Sequence, residues 1–262
     1  MSPDYSEQLK AAAHAARQAG AILKELFDKA HTVREKSRYE GFVTEADIAA
    51  EKIILSHLKK EFPDYSTLSE EAGEERKNSS YIWLVDPLDG TTNFKIKNPF
   101  FNVSIGLAKG KQVVLGIIYS PILDELFYAV EGKGAYLNGK KISVSNTTNL
   151  SSTVIGFCHG GKNSKALDRA LKIYPKLKAL SNHTRQFGAA ALEFCYLAAG
   201  RIDAVEITDT NPWDVAAGSL IAKEAGATVT DLNGGQWDTT KKDILAANSK
   251  LHAQLLKVLK GF

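Results

Sequence analysis

The stretch Trp83-Leu84-Val85-Asp86-Pro87-Leu88-Asp89-Gly90-Thr91 constrains this chain more than any other. Trp83, Leu84 and Val85 read as a buried strand run that ends abruptly in Asp86. Pro87 and Gly90 then force a turn, because proline fixes φ and glycine tolerates backbone conformations that other residues avoid. Two carboxylates, Asp86 and Asp89, are thereby presented at the end of a rigid strand. Thr91, Thr92 and Asn93 are good residues for a helix start, where the first backbone N–H groups lack partners inside the helix. Acids beside such amides suit cations together with a phosphate. Taken alone, the turn is equally compatible with a solvated loop whose acids cap backbone amides.

Three further acids fall at comparable positions. Ser69-Glu70-Glu71 follows the short apolar run Tyr65 to Leu68, so an acid there also reaches a strand end; the plain alternative is a solvated acidic pair. Trp213-Asp214 follows Asn211-Pro212 at the start of a helix over Val215–Ala225, where Asp also serves as a cap. Asp47 lies three residues after Thr44, the spacing of a capping box. Hard divalent ions take oxygen ligands, and magnesium is usually shared among carboxylates, water and substrate phosphate. The absence of closely spaced Cys or His pairs argues against zinc.

Around these acids the pattern is α+β. Leu9, Ala12, Ala16, Ala19, Leu23, Leu26 and Phe27 recur at steps of three or four and predict a helix over about 6–29. A charged loop is expected from Thr32 to about Gly41, then a second helix to about Phe62. Runs at 81–86, 101–108, 112–119 and 125–130 predict a largely antiparallel sheet, and Asn138-Gly139 a hairpin pairing Tyr136-Leu137 with Ile142–Val144. The second half predicts helices at 164–174, 188–199, about 213–225 and the C-terminal end, with strands at 202–207, 227–231 and 243–247. A boundary near residue 150 divides an N-terminal lobe, 1–150, carrying most of the acids from a C-terminal α/β lobe, 151–262.

Composition narrows the function classes. With 33 basic and 30 acidic residues, net charge +3, no long-range field steers the protein to nucleic acid or a membrane, so an acidic ligand needs a local site. Cys158 and Cys195 do not form a metal-type or disulfide framework, which is simplest in a reducing cytoplasm. The first twenty residues lack the apolar core of a signal peptide, and no run approaches the roughly 20 apolar residues of a membrane span.

The combination of motifs resembles a known family. Trp83 through Phe94 is similar, residue for residue, to the first signature of the inositol monophosphatase family. Trp213-Asp214-Val215-Ala216-Ala217-Gly218, continuing to Glu224-Ala225-Gly226-Ala227, resembles its second. Val43–Asp47, Ser69–Glu71 and Gly188–Leu192 extend the likeness over the whole chain.

The resemblance implies a layered α-β-α-β-α sandwich of the inositol monophosphatase and fructose-1,6-bisphosphatase type. It also implies two or three Mg2+ ions per site and a homodimer. Glu70, Asp86 and the Leu88 carbonyl match the ligands of the first ion, Asp86, Asp89 and Asp214 those of the second, with a third ion near Glu70. Thr91 and Asp47 match the pair that polarises the attacking water, with Glu70 beside them. The N–H groups of Gly90 and Thr91 match those that hold the phosphate. Gly188, Ala189, Ala190 and Glu206, together with Asp89, match the substrate pocket.

The implied reaction is hydrolysis of a small phosphorylated polyol or sugar, foremost myo-inositol monophosphate. Fructose-1,6-bisphosphate, alone or as a second substrate, is the alternative, and a partner-binding role on the same fold is a further one. The segment Ile207 to Pro212 is one residue longer than in animal members, which makes Asp209 a competing acid. His159, Lys162 and Arg185 are further candidates at the pocket rim, each with a plain surface alternative, and Lys36 and Arg38 fall where the family has a lid.

Overall fold

The structure is a computed structural model that describes residues 4–29, 33–37, 41–160 and 164–262, with the backbone alone at 33–37 and 41–42. The chain begins with α1 (Ser6–Phe27), the hairpin β1 (Val33–Ser37) and β2 (Gly41–Thr44), and α2 (Glu45–Glu61). There follow β3 (Ser66–Ser69), β4 (Gly73–Glu75), β5 (Tyr81–Asp89) and the short α3 (Thr91–Lys95). The meander β6 (Asn102–Lys109), β7 (Gln112–Ser120), β8 (Glu125–Val130), β9 (Ala135–Leu137) and β10 (Lys140–Lys141) completes the first half. The second half comprises β11 (Ile155–His159), α4 (Ser164–Leu180), β12 (Thr184–Arg185), α5 (Ala190–Ala198), β13 (Ala204–Thr208), α6 (Pro212–Glu224), β14 (Thr228–Thr230), β15 (Ile244–Ala247) and α7 (Ser249–Leu259).

Two sheets organise these elements. The larger has eight strands in the order β10-β9-β8-β7-β6-β5-β3-β4, antiparallel except where β3 lies parallel to β5. The smaller has five, β12-β11-β13-β15-β14, parallel on one side of β13 and antiparallel on the other.

Four apolar clusters define the layers. Ala12, Ala15, Ala16, Ala19 and Leu23 of α1 pack with Ile54 and Leu58 of α2 against Trp83, Ile105 and Ile117 on one face of the large sheet. The other face, with Ile118 and Phe127, meets α5 and α6 through Leu192, Ala217 and Leu220. The reverse of α5 and α6 packs on Val205, Ile207 and Ile244 of the small sheet. The far face of that sheet, with Phe157 and Leu245, is covered by Ile173 and Leu177 of α4 and Leu251 and Leu255 of α7. Helices, sheet, helices, sheet, helices is the α+β sandwich expected. Each fully buried Leu, Ile or Phe contributes roughly 1.5–3 kcal/mol of transfer free energy, so all four interfaces are substantial. Close seating of the middle layer depends on Gly116, where a Cβ would lie 2.5 Å from Ala217 O.

Several expectations need correction. Residues 33–37 form a strand paired with β2, where a loop was expected, and the side chains of Lys36 and Arg38 lie outside the described residues. The hairpin turn at Asn138 (φ 48°) and Gly139 (φ 81°) forms, but its second strand is Lys140–Lys141 and not Ile142–Val144. The helix expected to end at 174 continues through Pro175 to Leu180. The strands β11 and β12 were not anticipated, because the first combines glycine with a mixed apolar run and the second has only two residues.

Candidate active site

The turn after Val85 does break the ladder. Asp86 pairs in register with Ser104 and Asp89 with Asn102, so β5 bulges between them and both carboxylates are turned into the protein. Gly90 then takes φ 92° as the residue before α3. A side chain there would also meet Ala189 Cβ and Phe100 O at 3.1 Å, so conformation and space both require glycine. Phe94 seats the short helix, its ring edge-on to Phe101 at 5.0 Å and tilted against Phe27 at 5.6 Å.

Each acid of this region has a definite support. Asp86 is 3% exposed, and its Oδ1 accepts from Leu88 N at 3.0 Å. Burial pushes its pKa well up, and the charges of Glu70, Asp89 and Asp214 push it further. Asp89 accepts from Ala190 N (3.0 Å), Ala191 N (2.8 Å) and Asn102 Nδ2 (2.7 Å). Burial raises it to about 7 although these donors pull it down. Asp214, at the start of α6, accepts on Oδ2 from Asn211 N (2.8 Å) and Thr210 Oγ1 (3.1 Å). Burial, then the charge of Glu70, raises it to about 6. Glu70 follows β3, its N–H bonded to Val85 O at 3.1 Å, so the parallel pairing of β3 with β5 brings it beside the turn.

Asp47 closes the group. Thr44 N and Thr44 Oγ1 donate to its Oδ2 at 2.8 and 2.6 Å, so the capping box forms. Its Oδ1 lies 3.1 Å from Thr91 Oγ1, which is also 3.1 Å from Leu88 O. Burial raises the Asp47 pKa, the largest cause, and the Glu70 charge adds to it. Asp47 therefore serves as cap and as partner of Thr91 at once, and the two readings open in the sequence are not exclusive.

Among the described residues, no three His, Cys, Asp or Glu side chains are already drawn in as a closed metal cage. The charges of Glu70, Asp89 and Asp214 nonetheless add to burial in raising Asp86, and that of Glu70 adds to burial in raising Asp214. An all-oxygen donor set whose buried members resist ionisation fits a hard divalent cation, which would relieve both burial and mutual repulsion.

The pocket residues divide. Gly188 (φ 81°) packs on the Asn93 side chain, while Ala189 and Ala190 open α5, whose amides bind Asp89. Asn93 ties this loop to the turn, its Nδ2 donating to Phe187 O (2.7 Å) and Phe100 O (2.8 Å).

Glu206 is not brought to the group. It stands in register with Phe157 and Leu245, on the face of the small sheet under α4 and α7, whereas its neighbours Val205 and Ile207 face α5 and α6. Its charged neighbours are Asp243, Arg169 and Asp209, and burial followed by Asp243 pushes its pKa well up. Asp209 turns the same way, its Oδ2 3.6 Å from Arg169. On the face toward Asp89 and Asp214 the pair in register is instead Cys158 and Ile207, and desolvation, then the charges of Glu193, Asp89 and Asp214, push the half-buried Cys158 thiol well up. His159 keeps a buried Nδ1 without a partner, Arg185 bonds Thr184 O, and Lys162 lies outside the described residues.

Four supporting residues escaped the sequence reading. Glu51 Oε1 accepts from Ser69 Oγ, Glu71 N (3.1 Å) and Ala72 N (3.0 Å) and so fixes the segment carrying Glu70. Its place one helical turn after Asp47 was the available signal. Asn102, fully buried, donates to Asp89, and Glu193 accepts from Phe187 N at 3.2 Å; neither has a local signal. The fourth, Arg169, bridges Asp243 through two contacts.

Known proteins resemble this chain in sequence and in shape. The chain is 39% identical to "Inositol monophosphatase 3" of Solanum lycopersicum, over 96% of each chain. It is 34% identical to the "Fructose-1,6-bisphosphatase/inositol-1-monophosphatase" of Thermotoga maritima, over 93% of this chain and 92% of that one. The crystal structure of extragenic suppressor protein suhB from Bartonella henselae superposes with a TM-score of 0.91 at 37% identity, covering 98% of this chain and 99% of that one. Residues 4–261 match the inositol monophosphatase family as a whole, and the chain belongs to that family of phosphatases.

Proposed function

We propose that the chain is a magnesium-dependent phosphomonoesterase acting on a small phosphorylated polyol, with myo-inositol monophosphate as the leading substrate. The observation that carries this reading is the gathering of Glu70, Asp86, Asp89 and Asp214, whose charges act on Asp86, beside a turn where Thr91 Oγ1 lies 3.1 Å from Asp47 Oδ1. Glu70, Asp86 and Leu88 O, and Asp86, Asp89 and Asp214, are the two cation-binding sets, with a third cation near Glu70. Bound there, magnesium supplies charge neutralisation at the phosphoryl oxygens and a lowered pKa for water.

The chain's own residues do the rest. With its hydrogen donated to Asp47 Oδ1, the Thr91 hydroxyl keeps a lone pair that accepts from an attacking water. As the water oxygen bonds to phosphorus, its proton passes through Thr91 to Asp47, whose raised pKa favours taking it. The P–O bond to the alcohol breaks, and the departing alkoxide takes a proton from solvent water. The N–H groups of Gly90 and Thr91 hold the phosphate, and positioning supplies most of the rate. Gly188, Ala189 and Ala190 form the wall toward the alcohol.

Fructose-1,6-bisphosphate is the second reading, supported by the name of the Thermotoga maritima relative and by the orientation of Glu206 away from the acids. Two lobes meeting near residue 150, a homodimer and a reducing cytoplasm belong to the same proposal; the cysteines are free, and among the described residues no helix is long and apolar enough to cross a membrane.

The test is phosphate release by purified protein, with and without magnesium, from inositol 1-phosphate, fructose 1,6-bisphosphate, phosphoadenosine phosphate and histidinol phosphate. Magnesium-dependent release, fastest from inositol 1-phosphate, is expected. No release from any of the four overturns the proposal.

A further inference from the structure

The acid at the head of α6 is held by a loop that is itself anchored from behind the small sheet. Both hydrogen bonds to Asp214 Oδ2 come from Thr210 and Asn211, so the carboxylate follows the orientation of those residues. Thr210 N donates to Lys242 O at 2.7 Å, and Asp209 N to Asp243 Oδ1 at 3.2 Å. Asp209 has φ 53°, a left-handed conformation that a non-glycine residue keeps only where its surroundings impose it. The loop also lies tightly on the end of β11, since a Cβ on Gly160 would sit 3.0 Å from both Asp209 O and Thr210 Cα.

One guanidinium secures that anchor. Arg169 on α4 grips Asp243 at two points, Nη1 to Oδ1 at 2.5 Å and Nη2 to Oδ2 at 2.6 Å. Its Nη1 is 3.6 Å from Asp209 Oδ2, and its Nε donates to Phe262 O at 3.0 Å. A planar two-point bridge fixes the angle of a carboxylate as well as its place, which a single ammonium does not. The Arg169 side chain is 25% exposed, so solvent screens the bridge only partly.

We propose that Arg169 is a positioning residue for Asp214: its bridge to Asp243 sets the Asp209–Asn211 loop, and the loop sets the angle at which Asp214 meets a divalent cation. The inference rests on the proposed role of Asp214 as a cation ligand. Arg169 acts through the loop from the opposite face of the sheet, and its effect therefore falls on cation affinity more than on turnover at saturating cation.

Arg169→Met removes the fork and keeps an apolar stem, while Arg169→Lys keeps the charge and loses the second contact. Thr210→Val removes one donor to Asp214 and leaves the bridge intact. For each, Mn2+ binding is measured by titration calorimetry, alongside the magnesium concentration for half-maximal phosphate release, kcat at saturating magnesium and Tm. Arg169→Met is expected to weaken Mn2+ binding and raise the magnesium requirement about tenfold, as loss of a residue supporting a metal ligand does. Its kcat at saturating magnesium should change far less, with Arg169→Lys intermediate and Thr210→Val shifted in the same direction. A lower Tm with cation titrations matching the unsubstituted chain makes Arg169 a structural brace only and overturns the proposal. If Arg169→Met does not fold, unchanged titrations in both Arg169→Lys and Thr210→Val have the same force. Failure of the unsubstituted chain to bind Mn2+ or release phosphate would instead refute the proposed function beneath it.

Discussion

Asp89 at the candidate site and Glu206 on the far face of the small sheet are buried alike and supported very differently. Asp89, 8% exposed, receives three hydrogen bonds, and Asp47 and Asp214 are similarly supplied. Glu206, 0% exposed, has no hydrogen-bond partner on either oxygen. Burial raises both pKa values, but the donors around Asp89 hold it near 7, whereas nothing comparable restrains Glu206. The donors on Asp89 favour the ionised form that a cation needs, and Glu206, left without them, is held toward its neutral form.

The largest effect tests the supplied side. Asp89→Asn keeps the shape and removes the charge shared with the cations, and kcat should fall by at least about a thousandfold, the scale of losing a well-placed electrostatic group. Circular dichroism should show the fold intact, and retention of even a tenth of the activity would remove Asp89 from the site. Thr91→Val keeps the shape and deletes the hydroxyl between water and Asp47. A loss of about a hundredfold in kcat with little change in KM is expected, in the range of general-base assistance. A change confined to KM would make Thr91 a binding residue only.

A pH series without metal reads the same acids through stability. The folded pKa values of Asp89, about 7, and Asp214, about 6, lie above the ordinary 3.8, so between about pH 4 and 7 the folded chain binds more protons than the unfolded chain. Stability must therefore fall as pH rises through that window. In chelator, Tm is expected to be higher at pH 5 than at pH 8, and magnesium should remove most of the difference. A Tm that rises with pH in chelator, or a fall that magnesium leaves untouched, would contradict the coupling of these acids.

The supplied side was also the legible side, for a physical reason. Asp86, Asp89, Gly90 and Thr91 are joined by a turn whose Pro and Gly declare it locally, and Thr44 with Asp47 by a capping spacing within one helical turn. Asn102 and Glu193 reach the site only because β5 pairs with β6 and α5 packs across it, and nothing near them in the chain announces that. Glu206 shows how an acid at the right distance from Asp214 can still be misread. Side chains alternate along a strand, so Glu206 falls on the face opposite Val205 and Ile207, where it meets Arg169 and Asp243. Sheet register, unlike a turn, is set by partners far away in sequence.

The smallest effect on activity tests the unsupplied side. Glu206→Met replaces an unpartnered buried carboxyl with an apolar chain of similar length, and Arg169 retains its two contacts to Asp243. Leaving a buried polar group without partners costs about 1–3 kcal/mol, so the substitution should raise stability by up to that amount, measured by urea unfolding. KM and kcat for inositol 1-phosphate should stay within about twofold, the variation expected of a residue that touches no substrate. If Glu206 contacts substrate hydroxyls after all, KM rises about tenfold or more while stability still improves, because one lost hydrogen bond to a bound ligand is worth about 1.4 kcal/mol or a factor of ten. That result would mean β13 shifts register when substrate binds, and the contrast between the two faces would hold for the free protein alone.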